Sequence, residues 1–199
     1  MLVVAADRTW VAALEAVLAR PERLDIAPVD VESKVHPRRD PGMRLNGPAL
    51  ARSARGRATH AILALDLEGS GWSGEATALE QALEDDLAAS WGDRAIALVA
   101  EPELEAWLVG ARASLVGIDL MRGAPDPAAW WLDTGRAIKG EKPSRPKEAI
   151  DAWLALRGVT RTSSVVRDVA SRASLSVERC RSRTFHKLRR ALAGWFPRS

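Results

Sequence analysis

Three short apolar runs constrain this chain more than any other feature: residues 2–6 (LVVAA), 61–65 (AILAL) and 95–100 (AIALVA). Each is continuously apolar and is followed by a helical pattern, which is how strands buried on both faces of a parallel sheet read in βαβ units. A fourth stretch, residues 25–35, alternates Ile26, Val29, Val31 and Val35 with polar residues and is expected as an edge or half-exposed strand. Thr9 is the expected cap of a helix with Trp10, Ala13, Leu14, Val17 and Leu18 on its apolar side, ending before Pro21. Ser73 is the expected cap of another, with Glu75 in its first turn and Leu79, Leu83 and Leu87 facing inward. The fold class is therefore α/β, a mostly parallel sheet of about four strands flanked by helices.

Each apolar run stops at an acid: Asp7, Asp66 or Glu101. Open α/β sheets bind ligands outside the carboxyl ends of their strands, so Asp7, Asp66, Glu68, Glu101, Glu103 and Glu105 are expected to converge on one metal-binding crevice. Asp66 and Glu68 form a DxE pair; on extended backbone, residues two apart point the same way and reach one cation together. Pro102 suits a first helical position, which would put Glu101 and Glu105 one turn apart on one face. Acids at a helix start also simply complement the dipole, which would account for one or two of the three glutamates. Mg²⁺ or Mn²⁺ fits an open site of a few carboxylates completed by water and phosphate.

The net charge of +3 hides a division. Residues 1–125 hold 13 Lys and Arg against 19 Asp and Glu, whereas residues 126–199 hold 16 against 7. An acidic α/β domain, 1–125, is thus followed by a basic helical part, 126–199, with helices expected at 128–132, 146–156, 163–172 and 182–195. Lys139, Lys142, Arg145 and Lys147 make the intervening Pro- and Gly-rich loop positive, and Arg179, Arg181, Arg183, Lys187, Arg189 and Arg190 crowd the last helix and its approach. Solvated helix faces are commonly charged. The sharper reading gives Lys139, Lys142, Arg145, Lys147, Arg183, Lys187 and Arg190 to the phosphates of DNA or RNA, with Arg183, Lys187 and Arg190 on exposed faces of the last helix.

Of the eight tryptophans, Trp10, Trp107, Trp153 and Trp195 fall on apolar helical stripes and are expected in the core. Trp72 lies in a glycine-rich loop, where packing competes with stacking on a base. Tyrosine is absent, which excludes a tyrosyl nucleophile; the lone Cys180 excludes an intramolecular disulfide framework and a zinc motif. No apolar run approaches the roughly 20 residues a membrane helix needs, and Met1 leads straight into a strand without a basic leader. A soluble, cytoplasmic protein is expected.

The strand ending in Asp7, the stretch HAILALDLEGSG at 60–71 and PELEAW at 102–107 together resemble the small TOPRIM-related proteins of bacterial defence islands. The likeness is greatest to the TOPRIM-like component of methylation-associated antiphage defence systems. It extends to HPRRDPG at 36–42, KPSRPKEA at 142–149 and the ending from Phe185 to Phe196. The resemblance implies a TOPRIM-like core in which an acid after the first strand and an acidic pair after a later one bind Mg²⁺ for phosphodiester chemistry. Asp7 would stand for the usual glutamate and Glu68 for the second aspartate of the pair; both keep the charge but move the oxygens. On this view Asp7, Asp66, Glu68, Glu103 and Glu105 are the catalytic candidates, with Asp7, Asp66 and Glu68 as metal ligands. A proton shuttle is unassigned unless His60 or His36 serves, and His60 sits at a strand start, away from the acidic end. The implied function is a metal-dependent nuclease in antiphage defence working with other defence proteins; the alternative is a non-catalytic subunit binding nucleic acid or partner proteins.

Overall fold

A computed structural model describes residues 1–110, 115–139, 143–172 and 182–198. Its centre is a four-stranded, all-parallel sheet of β1 (Leu2–Ala5), β2 (Glu32–Val35), β3 (Ala61–Asp66) and β4 (Ala95–Ala100), in the order β2-β1-β3-β4. The helices are α1 (Arg8–Leu18), α2 (Pro21–Leu24), α3 (Arg39–Arg52), α4 (Ala76–Trp91), α5 (Glu105–Gly110), α6 (Pro127–Asp133), α7 (Pro146–Ala155), α8 (Ser163–Arg172) and α9 (Arg183–Trp195). No helix is long and apolar enough to cross a membrane among the described residues.

The period-two alternation of the strands sorts the core into two layers. Val3, Ala5, Ile62, Ala64, Leu98 and Ala100 face one side and join Trp10 of α1, Trp107 of α5, Trp153 of α7, Val166 of α8 and Phe185 of α9. Leu2, Val4, Leu63, Leu65, Ala97 and Val99 face the other and meet Met43 and Ala51 of α3 with Leu79, Leu83 and Leu87 of α4. The basic C-terminal helices thus share a hydrophobic core with the sheet. Trp107 anchors it, meeting Trp10 and Phe185 edge-on at 5.3 and 5.4 Å and donating its indole N–H to Thr184 Oγ1 at 2.8 Å. Trp10, Trp107 and Trp153 are buried as expected, whereas Trp195 is only partly so.

Local details depart from the sequence expectations for identifiable reasons. Asp7, not Thr9, caps α1: its extended backbone brings Oδ1 to the N–H groups of Thr9 and Trp10 at 2.8 and 2.9 Å. Glu75, not Ser73, occupies the cap position of α4, without a side-chain cap bond. β2 is indeed an edge strand, but only residues 32–35 pair. Ile26 instead bridges to Pro197, and Val29 and Val31 pack against the core. α3 was not foreseen, because Pro41, Gly42, Gly47 and Pro48 are residues that ordinarily interrupt a helix; burial of Met43 and Ala51 against the sheet overrides that preference.

The other edge strand, β4, is closed by side chains. Glu80 and Glu84 of α4 accept the outward N–H groups of Val99 and Ala97, both at 2.9 Å, and Arg183 of α9 donates to the Val99 carbonyl. Covering an edge in this way removes a template for pairing with another chain.

Candidate metal centre

The chain leaves β1 toward β2 on one side, then crosses back to β3 on the other, so the carboxyl ends of β1 and β3 flank a topological switch point. Such a point opens a crevice in an open α/β sheet. Here it is a cleft of about 470 Å³ lined by Asp7, Asp66, Glu105, His36, Arg8, Arg39, Lys147 and Arg161, among others. Asp66 reaches it because it continues the row of Ile62 and Ala64 to the end of β3.

Asp66, Glu103 and Glu105 each offer a carboxylate oxygen within 4.8 Å of the others, a group that could hold a metal ion. Hydrogen bonds fix Asp66 and Glu103, and an ion pair fixes Glu105. Asp66 Oδ1 accepts from the Trp10 indole at 2.8 Å and from the Leu104 backbone at 2.9 Å. Glu103 Oε1 accepts from the backbone N–H of Lys147 at 3.0 Å, and Glu105 Oε1 meets Arg161 at 2.5 Å. Each bond uses one oxygen of its carboxylate, and such outer contacts orient ligands toward a cation.

The cluster is electrostatically strained. Burial, reinforced by the charges of Asp40 and Glu105, pushes the Asp66 carboxyl well above its ordinary range despite its two hydrogen bonds. Burial likewise raises Glu103 and Glu105, in the latter case against the pull of Arg161. Crowded, desolvated carboxylates favour either protons or a cation.

The structure brings together Asp7, Asp66, Glu103 and Glu105 of the expected set, but not Glu68 or Glu101. Glu68 is exposed: β3 ends at Asp66, Leu67 and Glu68 already lie in a bend and turn, and the two-residue alternation holds only on extended backbone. Pro102 does not start α5, which begins at Glu105; Glu101 is exposed and lines a separate hollow. His36, buried, accepts the Arg38 N–H at Nδ1 and lines the cleft. His60 packs tilted on Trp195 and edge-on against Phe196, beside the start of β3 and away from the acids.

Two contributors were missed. Asp40, near the start of α3, accepts the backbone N–H of Asp66 at 2.8 Å, and burial raises its pKa, with the Asp7 charge adding to the effect. It lies within the HPRRDPG stretch at 36–42, but only the fold brings it to β3. Arg161 bonds both Glu105 and Asp151, the latter at 2.7 Å, and stands in a polar connection with no motif to mark it.

The basic residues divide in the same way. Arg183 is exposed as expected and Lys187 only partly so, but neither is free: both bind buried Glu80, at 2.6 and 2.9 Å, and Lys187 also binds Glu84 at 2.7 Å. Arg145 pairs with Glu148 at 2.7 Å, while Lys139 and Arg190 are exposed. Lys147 sits at the acid cleft itself. Lys142, Arg179 and Arg181 lie outside the described residues. Trp72 packs against the second core layer.

No family model matches the chain, and neither does any curated protein or solved structure.

Proposed function

We propose that the cleft hydrolyses phosphodiesters with the help of a divalent cation, Mg²⁺ or Mn²⁺, and that the protein is a TOPRIM-like nuclease of an antiphage defence system. The observation that carries this reading is the convergence of Asp66, Glu103 and Glu105 within 4.8 Å at a switch-point crevice. All three are hard oxygen donors, the type Mg²⁺ and Mn²⁺ select. Asp66, Glu103 and Glu105 would hold the ion, with Asp7 and Asp40 close enough to add to the negative field. When bound, the ion would activate water and stabilise charge on the phosphoryl oxygens.

The protein's own side chains supply the rest. Arg8, Arg39 and Lys147 line the cleft and offer cations to orient a phosphate beside the carboxylates. Arg161 holds Glu105 in place and lowers its tendency to protonate. Trp10 and the Leu104 amide do the same for Asp66, so its free oxygen is aimed by bonds to the other. The nucleic acid partner and the other defence proteins belong to this same proposal.

The test is the Asp66→Asn variant, which keeps an acceptor at Oδ1 for Trp10 and Leu104 but removes the charge. Metal-dependent cleavage of DNA or RNA should fall by at least about a hundredfold, the scale expected when electrostatic stabilisation of the transition state is lost, and phage protection should disappear with it. Full protection by the folded variant, in the presence of the neighbouring genes, would instead support a binding subunit.

A further inference from the structure

The acid cleft continues past Arg8. Arg8 and Val35 also line a second hollow, of about 400 Å³, between α1, β2 and the start of α8. The second hollow lacks the carboxylate cluster of the first. Ser33, Ser163 and Ser164 offer hydroxyls, and Arg8 and Arg167 offer guanidinium groups. The only acid in this wall is Glu15, and it is already paired with Arg167 at 2.7 Å. Arg8 is exposed and has no ion pair among the described residues. The two hollows thus differ in what they require of a ligand. The first presents clustered carboxylates, which would take a phosphate through a metal ion, beside the basic side chains of Arg8, Arg39 and Lys147. The second presents guanidinium and hydroxyl donors, which bind phosphate oxygens directly. Val35, 40% exposed at the junction, adds an apolar surface that a sugar or base can cover.

We propose that the second hollow is a phosphate-binding subsite for the nucleotide next to the one at the acid cluster. The substrate is then a polynucleotide strand crossing over Arg8, not a mononucleotide or a simple phosphoester. This rests on the reading of the acid cleft as a metal-dependent phosphodiesterase centre.

The test uses two variants that touch only the second hollow, Ser164→Glu and Arg167→Gln. Ser164 is exposed, and the Arg167 side chain is 51% exposed, so neither change disturbs the core. Two probes are compared in Mn²⁺: bis(p-nitrophenyl) phosphate, which fits the acid cleft alone, and short DNA and RNA oligonucleotides of one sequence. Turnover of the small diester should stay at the wild-type level in both variants. Affinity for the better-bound oligonucleotide should fall at least about tenfold in Ser164→Glu, since a like charge is placed against a phosphate. In Arg167→Gln the slope of log affinity against log salt should flatten by about 0.7–0.9, the contribution of one phosphate contact. If wild-type protein hydrolyses both probes and both variants bind the oligonucleotides unchanged, the subsite is wrong and the reading of the cleft survives. If wild-type protein hydrolyses neither probe, both fall together. Comparison of the DNA and RNA arms identifies which strand the subsite accepts.

Discussion

Replacing Arg161 by Gln should expose how the acid cluster is kept in its charged form. The Glu105 side chain is 4% exposed and that of Arg161 14% exposed, so the pair is largely desolvated. Removing one partner of a buried pair costs about 3–5 kcal/mol, because the remaining charge is left without compensation. The contact with Asp151, whose side chain is 45% exposed, adds no more than about 1 kcal/mol. Protonation limits the loss. Arg161 is the main influence holding the Glu105 pKa down against burial, so without it the pKa rises further and the carboxyl takes up a proton. Each pH unit above the new pKa then costs about 1.4 kcal/mol. The variant should therefore be about 3 kcal/mol less stable than wild type near neutral pH, with a deficit that shrinks as the pH falls. Urea titrations followed by tryptophan fluorescence at several pH values measure this directly. Mn²⁺ should also stabilise the variant more than the wild type, by supplying the missing counter-charge. An unchanged midpoint, or a deficit that grows toward acid pH, would refute the reasoning.

In metal-free wild-type protein, Asp40, Asp66, Glu103 and Glu105 all have folded pKa values above their ordinary ones. Their linked stability is complete below the ordinary values of 3.8 for Asp and 4.5 for Glu and is lost as pH rises through the raised ones; thermal melts with EDTA should show this fall, and saturating Mg²⁺ or Mn²⁺ should oppose it. Glu80→Ala leaves Arg183 and Lys187 without their buried partner and the Val99 N–H without an acceptor, so unfolding titrations should register a loss of about 3–5 kcal/mol. Arg190→Glu, on an exposed position of the same helix, should change stability by less than about 0.5 kcal/mol. Gly42→Ala would place a Cβ 2.2 Å from the buried His36 ring; it should cost about 1–3 kcal/mol through overpacking and reduce hydrolysis, whereas unaltered kinetics would separate His36 from the chemistry of the cleft.

The sheet, its parallel sense and the edge where acids gather were all legible in local patterns. Those features follow from local causes: continuous apolar runs bury on two faces, alternation sends Ile62, Ala64 and Asp66 to one side, and a strand that ends in an acid delivers it to the carboxyl edge. The C-terminal helices were legible for the same reason, from the apolar stripe of Phe185, Leu188 and Leu192. The composition of the site was not. Glu68 shared a two-residue spacing with Asp66 but lost the alignment because the strand ends at Asp66 and Leu67 and Glu68 form a bend and turn. Asp40 and Arg161 joined the cluster from distant segments, and Arg183 and Lys187 turned from open basic surface into partners of Glu80 and Glu84 on α4. Periodicity records which way a side chain faces along its own element. Which charge it meets there depends on how separate elements pack, and only the tertiary structure decides that.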